Sequence, residues 1–424
     1  MRVLARMLTD GLSTAEVQRR VVRTLSTSQV LGGVGMATGL AVSSLIAASL
    51  SGSDTLGGLA VTSTVVGAAL MSIPVARLAA RRGRRTALLA AYAVATAGAA
   101  VATVATVLGN VTVLLVGLLA FGGATTAALA ARYAATDLAA PSHRARDLAL
   151  VVWATTVGAV AGPNLTAPAN DAATTLGVPG VAGPFLLSAV AFGLAAVTVV
   201  IGLRPDPLRV LWDSAEPDPH STAHREPGDR VAGWRALRSS SEARLALAGI
   251  VVCHTVMVGL MAMTPVHMDH GGASLQVVGL VISLHIAGMF AVSPLIGWLA
   301  DRMGRVPVLA LGAVLLVVAA GVAGLVPSSD TAWFSVGLVL LGLGWSCGLV
   351  AGSALLTESV PVPVRPVVQG IGDLMMNVGG ALGGVLAGAA VAGASYGALA
   401  LATGLLVLPF LVVTVAVAVR VAPG

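Results

Sequence analysis

The sequence predicts an all-α integral membrane protein, with twelve transmembrane helices arranged as two pseudo-symmetric six-helix bundles. Three observations lead there. The 424 residues are 57% hydrophobic and only 10% charged, whereas a soluble domain carries about 25% charged residues. Apolar runs of membrane-spanning length, about 20 residues, recur from end to end. Six residue pairs also repeat at one fixed offset of 221 positions: Gly83 with Gly304, Arg84 with Arg305, Asp137 with Glu358, Arg144 with Arg365, Gly158 with Gly379, and Gly162 with Gly383. A constant offset without slippage marks two copies of one unit joined head to tail.

The apolar runs fall at roughly 27–50, 56–77, 86–108, 110–135, 147–168, 184–204, 244–266, 275–299, 306–327, 331–356, 366–392 and 395–420. Helices are the expected form, because a barrel strand would be about half that length and would alternate polar with apolar residues. Ahead of the first span, Leu12 to Leu25 is expected to form a short amphipathic helix on the inner leaflet. No cleavable signal peptide is expected, since residues 1–26 are arginine-rich without an apolar core. Glycine is abundant inside the spans (51 residues in the chain), which favours close helix approach. Residues 205–242 break the pattern with Pro, Asp, Glu, His and Arg, and read as a linker that buries no apolar face; Trp234 to Arg238 is placed at the membrane surface. The expected organisation is an N-terminal segment (1–26), a first bundle (27–204), a linker (205–243) and a second bundle (244–424).

All 24 basic side chains of the Lys and Arg class are arginine. They fall at the termini or at the even-numbered connections, so those connections and both ends are expected on the cytoplasmic side. The net charge of +6 is thus a topology signal, and no nucleic-acid partner is expected. The Ala, Val, Gly and Arg bias fits a bacterial inner (plasma) membrane protein. Cys253 and Cys347 lie inside spans and are expected to be small apolar residues, without disulfide or metal spacing.

The connection after span eight reads Gly297-Trp-Leu-Ala-Asp301-Arg302-Met-Gly304-Arg305. Here the chain resembles the major facilitator superfamily, whose signature is Gly-x-x-x-Asp-Arg-x-Gly-Arg. The first-half counterpart keeps Gly83-Arg84 but has Ala76 for the first Gly and Ala80 for Asp. A second family signature, an acid followed seven residues later by arginine, is matched by Asp137 with Arg144 and by Glu358 with Arg365. These residues form an expected cytoplasmic gate network: Asp301 capping a neighbouring helix, Arg84 paired with Asp137, and Arg305 paired with Glu358. Arg302 is counted in that network, whereas Arg82 and Arg85 read as plain topology determinants. Gly158-Ala-Val-Ala-Gly162-Pro163 resembles the Gly-x-x-x-Gly-Pro motif of the drug/proton antiporter branch, without the two glycines that usually follow.

Ionisable groups inside a bilayer are costly and so are functional candidates. Asp373, with Asn377 one turn deeper, and His254 and His285 are the candidates for proton coupling or substrate contact, with hydrogen-bonded packing as the alternative for each. His267, Asp269 and His270 fit either a metal site or a solvated loop. Spans one to six hold no deep acid, and Arg132 with Tyr133 is placed at the cavity mouth or at the interface by snorkelling. The family lines its path with spans one, four, seven and ten, which here offer Met36, Met257, Met261, Met263, Phe121 and Trp345, adaptable walls for apolar or amphipathic molecules.

The resemblance covers the chain apart from its N-terminal tail and linker. It implies a non-enzymatic secondary transporter working by alternating access, without cofactor or resident metal, in contact with the lipid bilayer, a small-molecule substrate and protons. Proton-coupled export of drug-like or amphipathic molecules is the expected activity. Uptake of a small solute by symport or facilitation, and a non-transporting sensor or scaffold, stay open. Oligomeric state is not readable from the residues.

Overall fold

A computed structural model describes residues 13–214, 229–327 and 330–421. The described residues form helices and no strand, and twelve helical stretches are long and apolar enough to cross a membrane. Helix α1 (Thr14–Ser51) starts at a capping box: the Ser13 hydroxyl accepts from the Glu16 amide and the Glu16 carboxylate accepts from the Ser13 amide. It then runs unbroken through the first span. The separate surface helix expected over Leu12–Leu25 is therefore not formed within the described residues. No Gly or Pro interrupts the chain from Thr14 to Leu31, and Val17, Val21 and Leu25 are at most 2% exposed. Burial of that apolar stripe makes the stretch an extension of the span.

Helices α2 (Asp54–Arg82) and α3 (Arg84–Leu108) meet at Gly83. The fourth span is two segments, α4 (Val111–Phe121), capped by the Asn110 side chain, and α5 (Gly123–Ala134). The fifth is α6 (Arg144–Asn164), followed by a break at Leu165 and by α7 (Thr166–Thr175), which carries Pro168 in its first turn. Proline lacks the amide that would continue the ladder, so the chain turns there. Helix α8 (Gly183–Gly202) completes the first six spans.

The expected linker holds structure at both ends. Helix α9 (Pro207–Ser214) buries Leu208 and Val210, and α10 (Arg230–Ser239) buries Leu237. Both are short amphipathic turns, so this region does bury apolar side chains, contrary to the reading from composition. Residues 215–228, which carry most of its Pro, Asp and His, lie outside the described residues.

The second set of spans comprises α11 (Ser241–His270), α12 (Leu275–Phe290) with α13 (Ser293–Met303), α14 (Arg305–Leu325), α15 (Thr331–Glu358), α16 (Arg365–Gly393) and α17 (Tyr396–Val421). The interruption between α12 and α13 falls just ahead of Pro294. Large apolar side chains such as Leu45, Leu70, Val385 and Val412 are each more than 60% exposed, as a lipid-facing exterior requires.

Two compact units emerge, and neither is contiguous in sequence. Unit 1 comprises Met1–Ala139, Ala154–Ala236 and Pro361–Leu374; unit 2 comprises Ala140–Trp153, Leu237–Val360 and Met375–Gly424. The start of α6 thus packs within unit 2, and the start of α16 within unit 1. In unit 1, α1 packs along α8, and α3 along α4 and α8; in unit 2, α15 packs against α11, α12 and α14.

Candidate functional site

In unit 1, the charged residues at the arginine-bearing end are organised by one turn. Gly83 ends α2 and opens α3 with φ +88° and ψ 172°, a conformation that L side chains avoid. The turn delivers Arg84 into the interior, where it is 2% exposed. Its Nε and Nη2 donate to the Asp137 carboxylate at 2.8 and 3.0 Å, and Nη2 also donates to Gln369 Oε1 at 2.7 Å. This is a bidentate, charge-assisted pair, a strong form of salt bridge. Burial pushes the Asp137 carboxyl above its ordinary value, against the pull of the Arg84 guanidinium and the Arg365 charge. Asp206, at the start of the expected linker, accepts from the Arg85 amide at 2.8 Å and so occupies the N-terminus of α3.

Unit 2 carries the counterpart. Gly304 joins α13 to α14 with φ +99° and ψ 159°. Arg305 donates through Nη1 to Asp301 at 2.9 Å, and through Nη2 to Glu358 at 3.0 Å and to the Pro141 carbonyl at 2.7 Å. Arg144 donates to the same Glu358 oxygen at 3.1 Å. Asp301 also accepts from the Ala145 and Arg146 amides at 3.1 and 2.9 Å, capping the first turn of α6. Arg302 is exposed and lies over the Trp298 ring, 5.3 Å from its centre. Each acid is therefore faced by two arginines, one from its own repeat and one from the exchanged helix start: Arg84 and Arg365 on Asp137, Arg305 and Arg144 on Glu358.

The units differ where Ala80 stands in place of the carboxylate supplied by Asp301. Deeper in unit 1 the structure brings together two residues that sequence reasoning kept apart. Arg132 is 1% exposed, so it neither lies at a cavity mouth nor snorkels; its Nη2 donates to Asp373 at 2.6 Å and to the Tyr133 hydroxyl at 3.2 Å. Desolvating a guanidinium requires a paired charge, and Asp373 supplies it. The contact joins positions 241 apart in the chain, so no local spacing announces it. Asn377, one turn further along α16 and 6% exposed, falls in unit 2.

Three histidines of unit 2 have hydrogen-bond or ring partners there. His285, buried on α12, donates through Nδ1 to the Leu338 carbonyl at 2.7 Å. His254 accepts through Nδ1 from the Trp345 indole at 3.0 Å. His267 stacks on Tyr396 with ring centres 4.1 Å apart. Phe121, expected to line the path, is fully buried against Phe185 and Phe192. Trp345 is 5% exposed, with Phe290 edge-on at 5.3 Å.

The glycine motif of α6 lies on α1. A side chain at Gly158 would meet the Gly33 backbone at 2.6 Å, and one at Gly162 would meet Ala37 at 2.5 Å. The Thr38 hydroxyl donates to the Gly162 carbonyl at 3.0 Å. Gly379 and Gly383 of α16 approach Thr255 of α11 in the same manner, at 2.5 and 2.6 Å. Pro163 sits in the last turn of α6, next to the break at Leu165.

Twelve candidate membrane spans, with an arginine–carboxylate cluster in each unit, fit a multi-pass membrane transporter. The chain belongs to the Major Facilitator Superfamily, whose family model matches residues 25–274 and 262–424. It is accordingly a transporter of small molecules across a membrane, not an enzyme. It is 39% identical over 414 residues to the uncharacterised MFS-type transporter YdeG of Bacillus subtilis (strain 168), covering 96% of this chain and 95% of that protein. It is 28% identical over 365 residues to the riboflavin transporter RfnT of Brucella anthropi, covering 86% and 87% respectively. The crystal structure of the human organic anion transporter MFSD10 shares the fold, with a TM-score of 0.75 and 16% identity over 94% of this chain and 99% of that one.

Proposed function

We propose that this transporter is a proton-coupled exporter of amphipathic, drug-like molecules, working by alternating access in a bacterial inner membrane. Both termini and the arginine-bearing connections are placed in the cytoplasm by the positive-inside rule. The sequence halves 27–204 and 244–424 act as the two moving bundles, and the clusters around Asp137 and Glu358 serve as gate contacts that form and break at the cytoplasmic face.

The observation that carries this reading is the buried Asp373 carboxylate, 4% exposed and about two turns into a membrane-spanning helix. Such a group is retained at a cost, and a carboxylate that gains and loses a proton can tie a gradient to a conformational change. Methionines 36, 261 and 263 are partly exposed on their helices, which suits a flexible apolar substrate. The substrate printed in the name of RfnT, riboflavin, is an amphipathic aromatic heterocycle of this class.

The test is flux in proteoliposomes with an imposed pH jump, using riboflavin and ethidium as probes. Reconstitution in both orientations reads direction. Accumulation of either probe driven by the proton gradient is the expected result. Flux that follows only the probe's own gradient would turn the reading to facilitated diffusion.

A further inference from the structure

Resting on the proton-coupled reading, we propose that Arg132 is the counter-charge of the proton site, so that proton uptake on Asp373 releases α16 from α5. The first support is broken symmetry. The clusters around Asp137 and Glu358 repeat at the 221-residue offset, but this pair does not: Ser353 stands 221 residues after Arg132, and Val152 stands 221 before Asp373. The ion pair is peculiar to unit 1 and is not a by-product of duplication.

The second support is what unit 1 lacks. Asp301 holds the first amides of α6 in unit 2. Ala80 cannot do the same for the start of α16 in unit 1. That task falls to the contacts of Gln369 with Arg84 and of Asp373 with Arg132. The first is insensitive to pH, because an amide and a guanidinium do not titrate in the physiological range. The second depends on the charge of one carboxylate.

The third support is a small polar cavity beside the carboxylate. Asp373 lines a cavity of about 10 Å³, with Ser72 of α2, Arg84 of α3, Thr126 and Tyr133 of α5, and Gln369. That volume is room for about one water among polar partners. Among the described residues, the charged and titratable groups set against Asp373 include Arg132 and Tyr133 from α5 and Arg84 from α3; α2 contributes the Ser72 hydroxyl. In the step itself, a proton from the cavity side binds a carboxylate oxygen. Asp373 becomes neutral, Arg132 keeps its charge, and the attraction between them falls to that of an ordinary hydrogen bond. Loss of the proton restores it.

Proton binding by the purified protein tests the assignment without a transport substrate. A pH-sensitive dye, with the solution taken from pH 8 to pH 5, counts protons and gives the midpoint. Asp373→Asn should take up about one proton fewer than wild type. Arg132→Gln should move the midpoint at least one unit upward, about tenfold in proton affinity, and Arg132→Lys should largely restore it; a purely structural role would move none of these. Hydrogen-exchange protection over residues 361–374, taken relative to the intrinsic amide rate at each pH, should fall at low pH in wild type and stay unchanged in Asp373→Asn. Equal proton counts in wild type and Asp373→Asn, or an unmoved midpoint in Arg132→Gln, would overturn the proposal. The pH-jump flux assay fails separately: gradient-driven riboflavin or ethidium flux alongside unchanged proton counts removes Asp373 but keeps the coupling.

Discussion

Gly83 and Gly304, one in each sequence repeat, hold the same backbone shape, φ +88° with ψ 172° and φ +99° with ψ 159°. Both precede the arginine that reaches an acid of its own unit. The shape lies in a region open essentially to glycine, where any side chain costs about 1–3 kcal/mol. Surroundings then separate the two: a methyl on Gly83 would land on the Asp206 carboxylate, whereas one on Gly304 has Pro307 no nearer than 3.6 Å. Gly83→Ala should therefore destabilise the detergent-solubilised protein more than Gly304→Ala, as read by thermal unfolding.

The two arginine–acid clusters differ in depth. Arg84 and Asp137 side chains are 3% and 0% exposed, while Arg144 and Glu358 are 14% and 26% exposed. Removing one partner of a buried pair costs about 3–5 kcal/mol, and a partly solvated pair contributes about 1 kcal/mol or less. Asp137→Asn should lower thermal stability clearly more than Glu358→Gln. Raised salt should weaken the Glu358 contacts and leave the Asp137 pair nearly unchanged.

Asp301 serves two groups at once, the first amides of α6 and the Arg305 guanidinium. A neutral Asn keeps the size and loses the charge. Asp301→Asn should insert normally but transport at least fivefold more slowly, since about 1 kcal/mol is a factor of five in a conformational equilibrium. Expression level with proteoliposome flux checks both halves of that statement.

Close backbone approach at Gly158 and Gly162 leaves no room for bulk. Gly158→Val should force α6 off α1 and abolish transport, with reduced yield of folded protein by size-exclusion chromatography. Val160, on the lipid-facing side at 62% exposure, is the control: Val160→Leu should change neither.

Much of this was legible in the residues. Span positions follow from hydrophobic length, and the shared offset of the six pairs shows the duplication, because both are local or periodic signals. The acid–arginine contacts around Asp137 and Glu358 could be written down from the family signatures. The rest depends on tertiary contact. Arg132 reads as an interfacial residue until Asp373 is placed beside it, and Asp206 sits in what composition marks as a linker yet caps the turn at Arg85. Phe121 is apolar on a path-lining span, but only its neighbours Phe185 and Phe192 show which way it faces. The continuity of α1 also hid behind composition, since its arginines mask a buried stripe of Val17, Val21 and Leu25.

The absence of lysine has a chemical consequence for both clusters. A guanidinium stays protonated across every acidity a living cell meets, so the cationic half of each contact is a constant. Any response of these clusters to acidity therefore lies with the partners of the arginines and not with the arginines themselves.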